Sequence, residues 1–214
     1  MTWHDEVLDA AGHAAAARLA AATPGFYLAG GTALALRLGH RISLDLDLFS
    51  ARNALGARER QTLFDTLNAS GPLEIKAAQD GTCHLDLDGT SVSLFHYAFP
   101  VLARSQSWRG LAVASLDDLA AMKLSAVLGR GSKKDFIDLH ALCQRRGLDR
   151  VMTTAGRKFP LHADFPLQAA RALLYFEDAE KEPMPRMLAA TRWEDIKSYF
   201  EHAIPKYVKA YLKR

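Results

Sequence analysis

The most constraining feature of this chain is a run of alternating apolar and polar residues that follows a double glycine. From Ile42 to Leu48 the apolar side chains occupy every second position. Because successive side chains of a strand point to opposite faces, this alternation predicts one strand with a strongly specified register. The predicted apolar face holds Ile42, Leu44, Leu46 and Leu48, and the opposite face holds Ser43, Asp45, Asp47 and Phe49.

The two carboxylates of that strand, Asp45 and Asp47, are predicted to share one half-buried face. This is a poor arrangement for stability alone, because the charges repel and each carboxylate loses hydration when buried. A divalent cation removes both penalties. The pair therefore predicts a metal site of the phosphoryl-transfer type, with an acidic edge strand as the alternative interpretation.

A short helix is predicted between the double glycine and the strand, capped by Thr32 and ended by Gly39 in a left-handed conformation. Gly30 and Gly31 have no Cβ, so their backbone can bend sharply and approach a ligand closely. The first amides of such a helix favour an anion. We therefore predict a phosphate at the glycine turn, where Arg41 could reach it; a simple strand-to-helix turn is the alternative.

Composition narrows the class of protein but does not identify the reaction. The chain has 214 residues, 27 basic and 24 acidic, for a net charge of +3, which says little about nucleic acid. Its two cysteines, Cys83 and Cys143, have no metal-ligand spacing, so reduced thiols are expected. We see no signal peptide and no run of 18 apolar residues, and we expect a cytoplasmic protein that does not bind a membrane.

The pattern of predicted elements favours an α+β fold. Residues 1–114 are expected to form a core with a mixed sheet flanked by helices, and residues 115–214 a helical C-terminal lobe that completes the active site. In the core we predict helices at 4–21 and 57–68 and strands at 26–29, 73–78, 82–87 and 91–97. In the lobe we predict helices at 116–128, 133–146 and 167–179, one from a Thr191 cap to about 203, and a basic helix from Pro205.

Two charged residues lie within the apolar stripes of the predicted lobe helices. Lys123 either reaches water or projects into a pocket. Asp138 is unusual in a helix interior and either pairs with Lys134 or Arg145 or has a chemical role. Together they could place a cation against a triphosphate and an acid near a nucleophile. Asp135 is the weaker acidic candidate, because a cap formed with Ser132 already explains it.

The segment between those helices, Gly129–Lys134, is rich in basic residues. It could clamp phosphates or an RNA backbone, or it could be a solvated charge run. The basic terminal helix leaves the same two interpretations open.

These residues resemble the AbiEii/AbiGii family of nucleotidyltransferase toxins, within the DNA polymerase β-like superfamily. The segments that carry the resemblance are LAGGTALALRLGHRISLDLDLFS (28–50), SLDDLAAMKLSAVLGRGSKKDFIDLHAL (115–142) and YFEDAEKEPMPRM (175–187). It implies a nucleotidyltransferase core with a helical C-terminal lobe, Mg²⁺ as cofactor and a nucleoside triphosphate as donor. It also implies an RNA acceptor, tRNA first, and the role of toxin in a toxin–antitoxin or phage-defence system with a cognate antitoxin.

The resemblance also implies roles by position. Gly30, Gly31 and Thr32 would hold phosphate, Asp45 and Asp47 would bind metal, Lys123 would contact the triphosphate, and Asp138 would act as acid or base.

One position departs from the wider superfamily, which usually has a third carboxylate on a later strand. The corresponding residue here is Ser93, while Asp86 and Asp88 lie on the neighbouring hairpin arm, where they can serve its turn. This departure keeps open a nucleotide- or antitoxin-binding module without turnover. A second alternative keeps the chemistry but transfers the nucleotide to a protein hydroxyl. Haloacid-dehalogenase phosphatases and metal-dependent glycosyltransferases match the pattern less well.

Overall fold

The structure is a computed structural model that describes residues 2–160 and 164–213. The chain divides into two compact units, Met1–Ser115 and Leu116–Arg214. No helix in the described ranges combines the length and the apolar character needed to cross a membrane.

The first unit contains a seven-stranded sheet in its described residues, with helices before and between the strands. The helices are α1 (Ala10–Ala22), α2 (Gly30–Leu38) and α3 (Ala57–Ala69). The strands are β1 (Tyr27–Ala29), β2 (Leu46–Ser50), β3 (Glu74–Gln79), β4 (Thr82–Leu87), β5 (Thr90–His96), β6 (Gln106–Trp108) and β7 (Leu111–Val113).

The sheet is mixed, as predicted, in the order β3-β4-β5-β2-β1-β7-β6. Strand β2 pairs with β1 antiparallel and with β5 parallel, so it lies at the centre of the sheet. Strands β6 and β7 were not predicted, because each has three residues and their turn, Arg109–Gly110, lacks the usual Asn-Gly or Asp-Gly signal. Both turn residues have positive φ, 47° and 87°.

The central strands have one buried face and one half-exposed face. In β2, Leu46 and Leu48 are fully buried, whereas Asp47 and Phe49 are half-buried. Strand β4 alternates in the same way, and helix α1 packs against β5, β7 and α3. The period-2 pattern of the sequence thus creates an open sheet face that carries the polar residues.

The predicted aspartate strand is shorter than its alternation suggested. It begins at Leu46, and Leu44 is 49% exposed rather than on the buried face. Hydrogen bonds to distant parts of the chain shorten the strand. The Ser43 amide donates to the Val7 carbonyl, and the Asp45 carbonyl accepts from the Thr32 hydroxyl. These bonds hold residues 42–45 outside the sheet, so the predicted register is right only from Leu46 onward.

Strand β3 forms one edge of the sheet, and all six of its residues are exposed. Its register with β4 shifts between Ile75 and Ala77, and Lys76 forms an ion pair with Asp86 (2.8 Å). The edge is therefore irregular and charged.

The second unit is helical, as predicted, but its helices differ from the predicted set. They are α4 (Leu116–Gly129), α5 (Lys133–Arg146), α6 (Leu148–Lys158), α7 (Phe165–Ala172), α8 (Glu177–Glu180) and α9 (Trp193–Tyr211). Helix α6 was missed, although Leu148, Val151, Met152 and Ala155 have helical spacing and are buried.

Several predicted helix boundaries were wrong. The helix predicted at 167–179 is two shorter helices, α7 and α8. Helix α1 begins at Ala10, where the Asp9 side chain accepts from the Gly12 amide (2.8 Å). Helix α9 begins at Trp193 rather than after a Thr191 cap. It continues through Pro205, since Ile204 and Tyr207 anchor both sides of the proline in the core.

A buried ion pair connects α4 with α6. Lys158 Nζ lies 2.8 Å from Asp118 Oδ1, and the two side chains are 0% and 1% exposed. Burial of two charges costs desolvation energy that their attraction offsets only while both are present. The pair therefore makes the packing of α4 against α6 sensitive to the loss of either charge.

Replacement of Lys158 by methionine tests this sensitivity. Lys158→Met leaves the buried Asp118 carboxylate without its ammonium partner, so the free energy of unfolding should fall by about 3–5 kcal/mol in urea denaturation. Adding Asp118→Asn should recover at least half of that loss. The matched control is Lys181→Met, because Lys181 is 70% exposed and its pair with Asp178 should contribute less than about 1 kcal/mol. Equal losses in both single variants would contradict the interpretation.

Candidate active site

The centre of the candidate site is the contact between Asp47 and Gly30. Asp47 on β2 pairs in register with Ala29 on β1, and Gly30 follows as the first residue of α2. Gly30 has a φ of 67°, and a Cβ at this position would overlap Asp47 Oδ2 and lie 3.1 Å from Asp47 Cβ. The carboxylate thus occupies space that only a glycine leaves open.

Gly31 is packed in the same way against the guanidinium of Arg41. A Cβ on Gly31 would overlap Arg41 Nη2 and lie 3.0 Å from Ser43 Oγ. Arg41 is 4% exposed, and its Nη1 donates to the Ile42 carbonyl (3.0 Å). The guanidinium is therefore held against the glycine turn, close to the place where the sequence predicts a phosphate.

Thr32 does not cap α2, contrary to the prediction. The helix begins two residues earlier, and its N-cap residue, Ala29, supplies no side-chain hydrogen bond to the first turn. The Thr32 hydroxyl instead contacts the Asp45 carbonyl and Ser43 Oγ (3.0 Å). Thr32 therefore connects the start of the helix to the segment before β2. The predicted left-handed end at Gly39, with a φ of 62°, is confirmed.

Asp45 lies immediately before β2 and is exposed. Its backbone carbonyl accepts from the Thr32 hydroxyl, which fixes the backbone of Asp45 beside α2. The Asp47 carboxylate packs directly on Gly30. Within residues 2–160 and 164–213, no three His, Cys, Asp or Glu side chains cluster closely enough to hold a metal without other ligands.

Ser93 occupies the strand position next to Asp47, because Asp47 and Ser93 pair directly between β2 and β5. The next residue in this row is His84 on β4, and its Nδ1 lies 3.1 Å from Ser93 Oγ. Sequence analysis did not single out His84 or Ser43. The alternation of Thr82, His84 and Asp86 along β4 was a usable signal for His84.

The other nearby carboxylates are engaged in the hairpin. Asp86 accepts from Lys76 (2.8 Å) and from the Gly89 amide (2.7 Å), and Asp88 pairs with Arg18 (3.0 Å). Asp88 and Gly89 have φ values of 52° and 85°, as the predicted tight turn requires. These contacts account for both aspartates as turn residues.

Lys123 and Asp138 contact each other in the second unit. Lys123 Nζ lies 2.7 Å from Asp138 Oδ2 and 3.0 Å from Asp135 Oδ1. Asp138 therefore pairs with Lys123, and the predicted partners Lys134 and Arg145 were wrong. The two aspartate side chains are 0% exposed and that of Lys123 is 6%. This geometry supplies a structural explanation for the residues, and their predicted catalytic roles stay predictions.

Asp135 is the most strongly bonded member of this group. It accepts from Arg130 Nε (2.6 Å), Arg130 Nη2 (2.9 Å) and Ser132 Oγ (2.7 Å). Burial alone would raise its pKa, but the hydrogen bonds and charges of Arg130, Lys123 and Ser132 outweigh burial and lower the pKa from 3.8 to about 2. Because Arg130 is bonded here, the basic loop is not a fully solvated charge run.

Comparison with known proteins identifies the family of the chain. The sequence model of the family "Nucleotidyl transferase AbiEii toxin, Type IV TA system" matches residues 14–82 and 90–214. An uncharacterized protein of Aquifex aeolicus (strain VF5) is 32% identical over 194 residues, which cover 86% of this chain and 88% of that protein.

Two solved structures share the fold at low sequence identity. MenT4, a nucleotidyltransferase toxin of Mycobacterium tuberculosis H37Rv, superimposes with a TM-score of 0.54 at 16% identity, covering 92% of this chain and 86% of MenT4. ANT(2″)-Ia in complex with adenylyl-2″-tobramycin superimposes with a TM-score of 0.50 at 14% identity, covering 71% of this chain and 96% of that protein.

The fold and the family match define the chain as a nucleotidyltransferase. More narrowly, it belongs to the AbiEii family of nucleotidyltransferase toxins of type IV toxin–antitoxin systems. The predicted fold class and family are thereby confirmed.

Substitution of Gly30 by alanine tests the contact at the centre of the site. Gly30→Ala introduces both an unfavourable positive φ and a Cβ that displaces the Asp47 carboxylate. Gly25→Ala is the matched control, because Gly25 has a φ of 81° but no atom within 4 Å of the added Cβ. The control should lose about 1 kcal/mol of unfolding free energy in urea denaturation, and Gly30→Ala clearly more. Equal losses would show that the Asp47 contact does not restrict position 30.

The lowered pKa of Asp135 predicts a pH-dependent contribution to stability. Since the folded-state pKa is below the unfolded value, the contribution is present at neutral pH and is lost as the pH falls from 3.8 towards about 2. Asp135→Asn should lower the unfolding free energy by about 2 kcal/mol at pH 7 and by about half as much at pH 3. Asp149→Asn, at an exposed aspartate of α6, should show little change at either pH. A loss for Asp135→Asn that does not depend on pH would contradict this assignment.

Proposed function

We propose that this enzyme transfers a nucleoside monophosphate from a nucleoside triphosphate to a hydroxyl of an RNA acceptor, tRNA first, with release of pyrophosphate. We further propose that the reaction requires Mg²⁺ and takes place in the cytoplasm, where triphosphates and RNA are both present. In this proposal the added nucleotide disables the acceptor RNA, and a cognate antitoxin opposes this effect. The proposal rests most directly on the contact of the Asp47 carboxylate with the glycine turn.

The residues at the turn fit a magnesium ion. Asp45 and Asp47 would supply hard carboxylate oxygens, and Mg²⁺ is commonly held by one or two carboxylates together with water and substrate phosphates. Because Gly30 has no Cβ, the Asp47 carboxylate can lie directly against the turn. When bound, the ion would neutralise charge on the phosphates and orient them.

The protein's own groups would bind and orient the triphosphate. Gly30 and Gly31 allow close approach of the backbone, and the N-terminus of α2 favours an anion. The Arg41 guanidinium lies against Gly31, so a phosphate at the turn would meet a positive charge that is already in place. Phosphoryl transfer demands mainly positioning and charge stabilisation, and this arrangement offers both.

The choice of acceptor has weaker support than the choice of reaction. The resemblance implies RNA, whereas the net charge of +3 says little about the acceptor. ANT(2″)-Ia, which has a similar fold, was solved with adenylyl-2″-tobramycin. The molecule bound to ANT(2″)-Ia is a small molecule that carries an adenylyl group. A protein of this fold can therefore hold an acceptor other than RNA.

Loss of either carboxylate should remove the activity. Purified protein incubated with each α-³²P-labelled nucleoside triphosphate, total tRNA and Mg²⁺ should label RNA, and the label should disappear in excess chelator. Asp45→Asn and Asp47→Asn should reduce the initial rate at least about 100-fold, because the donor phosphates lose charge compensation in the transition state. Asp149→Asn, at an exposed position, should keep the wild-type rate.

The outcomes separate the competing functions. RNase-sensitive label supports the proposal, whereas label removed by protease and not by RNase indicates a protein acceptor. Triphosphate binding without pyrophosphate release indicates a binding module without turnover. Wild-type rates in both aspartate variants would show that the catalytic site lies elsewhere.

A further inference from the structure

A row of polar residues continues across the half-exposed sheet face beyond Asp47. Direct register pairs connect Asp47 on β2 to Ser93 on β5 and Ser93 to His84 on β4. Side chains of directly paired residues point to the same face of a sheet, so the three side chains lie in one line. All three are half-buried, which leaves them accessible from that face.

The His84 imidazole is held by two contacts. Its Nδ1 lies 3.1 Å from Ser93 Oγ, and its ring meets the Phe95 ring nearly edge-on, with centroids 5.7 Å apart and an angle of 76°. Within the described residues, Nε2 makes no hydrogen bond to the protein. One ring nitrogen is thus engaged, and the other is available to a ligand on the open face.

The spacing along this row leaves room for a substrate atom. Neighbouring strands lie about 4.8 Å apart, so the backbones of Asp47 and His84 are separated by roughly 9–10 Å across β5. The side chain between them, Ser93, is short. An oxygen held between the carboxylate and the imidazole would therefore be within reach of both.

We propose that His84 is the general base of the transfer reaction and that Ser93 positions it. This inference rests on the proposed function. The acceptor hydroxyl gives its proton to His84 Nε2 while its oxygen bonds to the α-phosphorus. The bond from that phosphorus to the bridging oxygen breaks, and its electron pair leaves with pyrophosphate. No oxidant or reductant takes part.

The neighbouring polar groups on this face are poorer candidates for the general base than His84. On β4, Asp86 faces the same side but is bonded to Lys76 and to the Gly89 amide. On β5, Ser93 has a hydroxyl that is too weakly basic to accept a proton from another hydroxyl. The imidazole is the group of this row that combines proton affinity with an available nitrogen.

The test is His84→Gln, which keeps a polar side chain but removes the base. The rate of label transfer from an α-³²P nucleoside triphosphate to tRNA at saturating substrate should fall at least about 100-fold, with the KM for the triphosphate unchanged within about twofold. The control is His96→Gln, at an exposed histidine at the end of β5, which should keep the wild-type rate. Thermal unfolding and equilibrium binding of the triphosphate should match wild type in both variants.

Chemical rescue separates proton transfer from a structural effect. Free imidazole should restore at least about a tenth of the lost rate to His84→Ala and should not affect Asp47→Asn. The positioning role of Ser93 predicts that Ser93→Ala lowers kcat about 5- to 20-fold without a change in KM, while Ser93→Thr, which keeps the hydroxyl, retains activity.

Failure of this inference differs from failure of the proposed function. If wild type transfers label and Asp47→Asn does not, a His84→Gln rate within threefold of wild type overturns the role of His84 alone. A His84→Gln variant that changes only the KM, or a His84→Ala variant that imidazole does not rescue, overturns it as well. If wild type labels no acceptor, the proposed function itself is wrong.

Discussion

The interaction on which this structure depends is the packing of a carboxylate onto a backbone that has no side chain. Asp47 can lie over Gly30 only because position 30 carries no Cβ and adopts a left-handed φ. The same principle places Arg41 against Gly31. Opposite charges are thereby brought to one turn, at the N-terminus of α2.

Much of this arrangement could be predicted from local sequence. The alternation around Asp47 indicated a half-buried strand, and the double glycine indicated a close approach of backbone. The extent of the strand could not be predicted in this way, because the backbone of residues 42–45 bonds to Val7 and Thr32 instead of to a neighbouring strand. Such bonds join distant parts of the chain, and periodicity carries no information about them.

The row from Asp47 to His84 also combines features that local sequence predicts with one that only the strand order determines. Each strand was visible as an alternating segment, but the order β4-β5-β2 determines which residues become neighbours. That order arises from a parallel pairing of β2 with β5, between which α3, β3 and β4 intervene in the sequence. In the helical unit, Lys123 and Asp138 were recognised separately as unusual, and only the packing of α4 against α5 showed that they are partners.

The irregular outer strand β3 has a consequence for the protein at high concentration. An exposed strand edge can recruit a matching strand from another copy, and charge or a bulge prevents this. Here the register shift between Ile75 and Ala77 interrupts the pattern of backbone groups, and Lys76 places a cation beside them. The β3 edge therefore resists pairing with a strand of another copy.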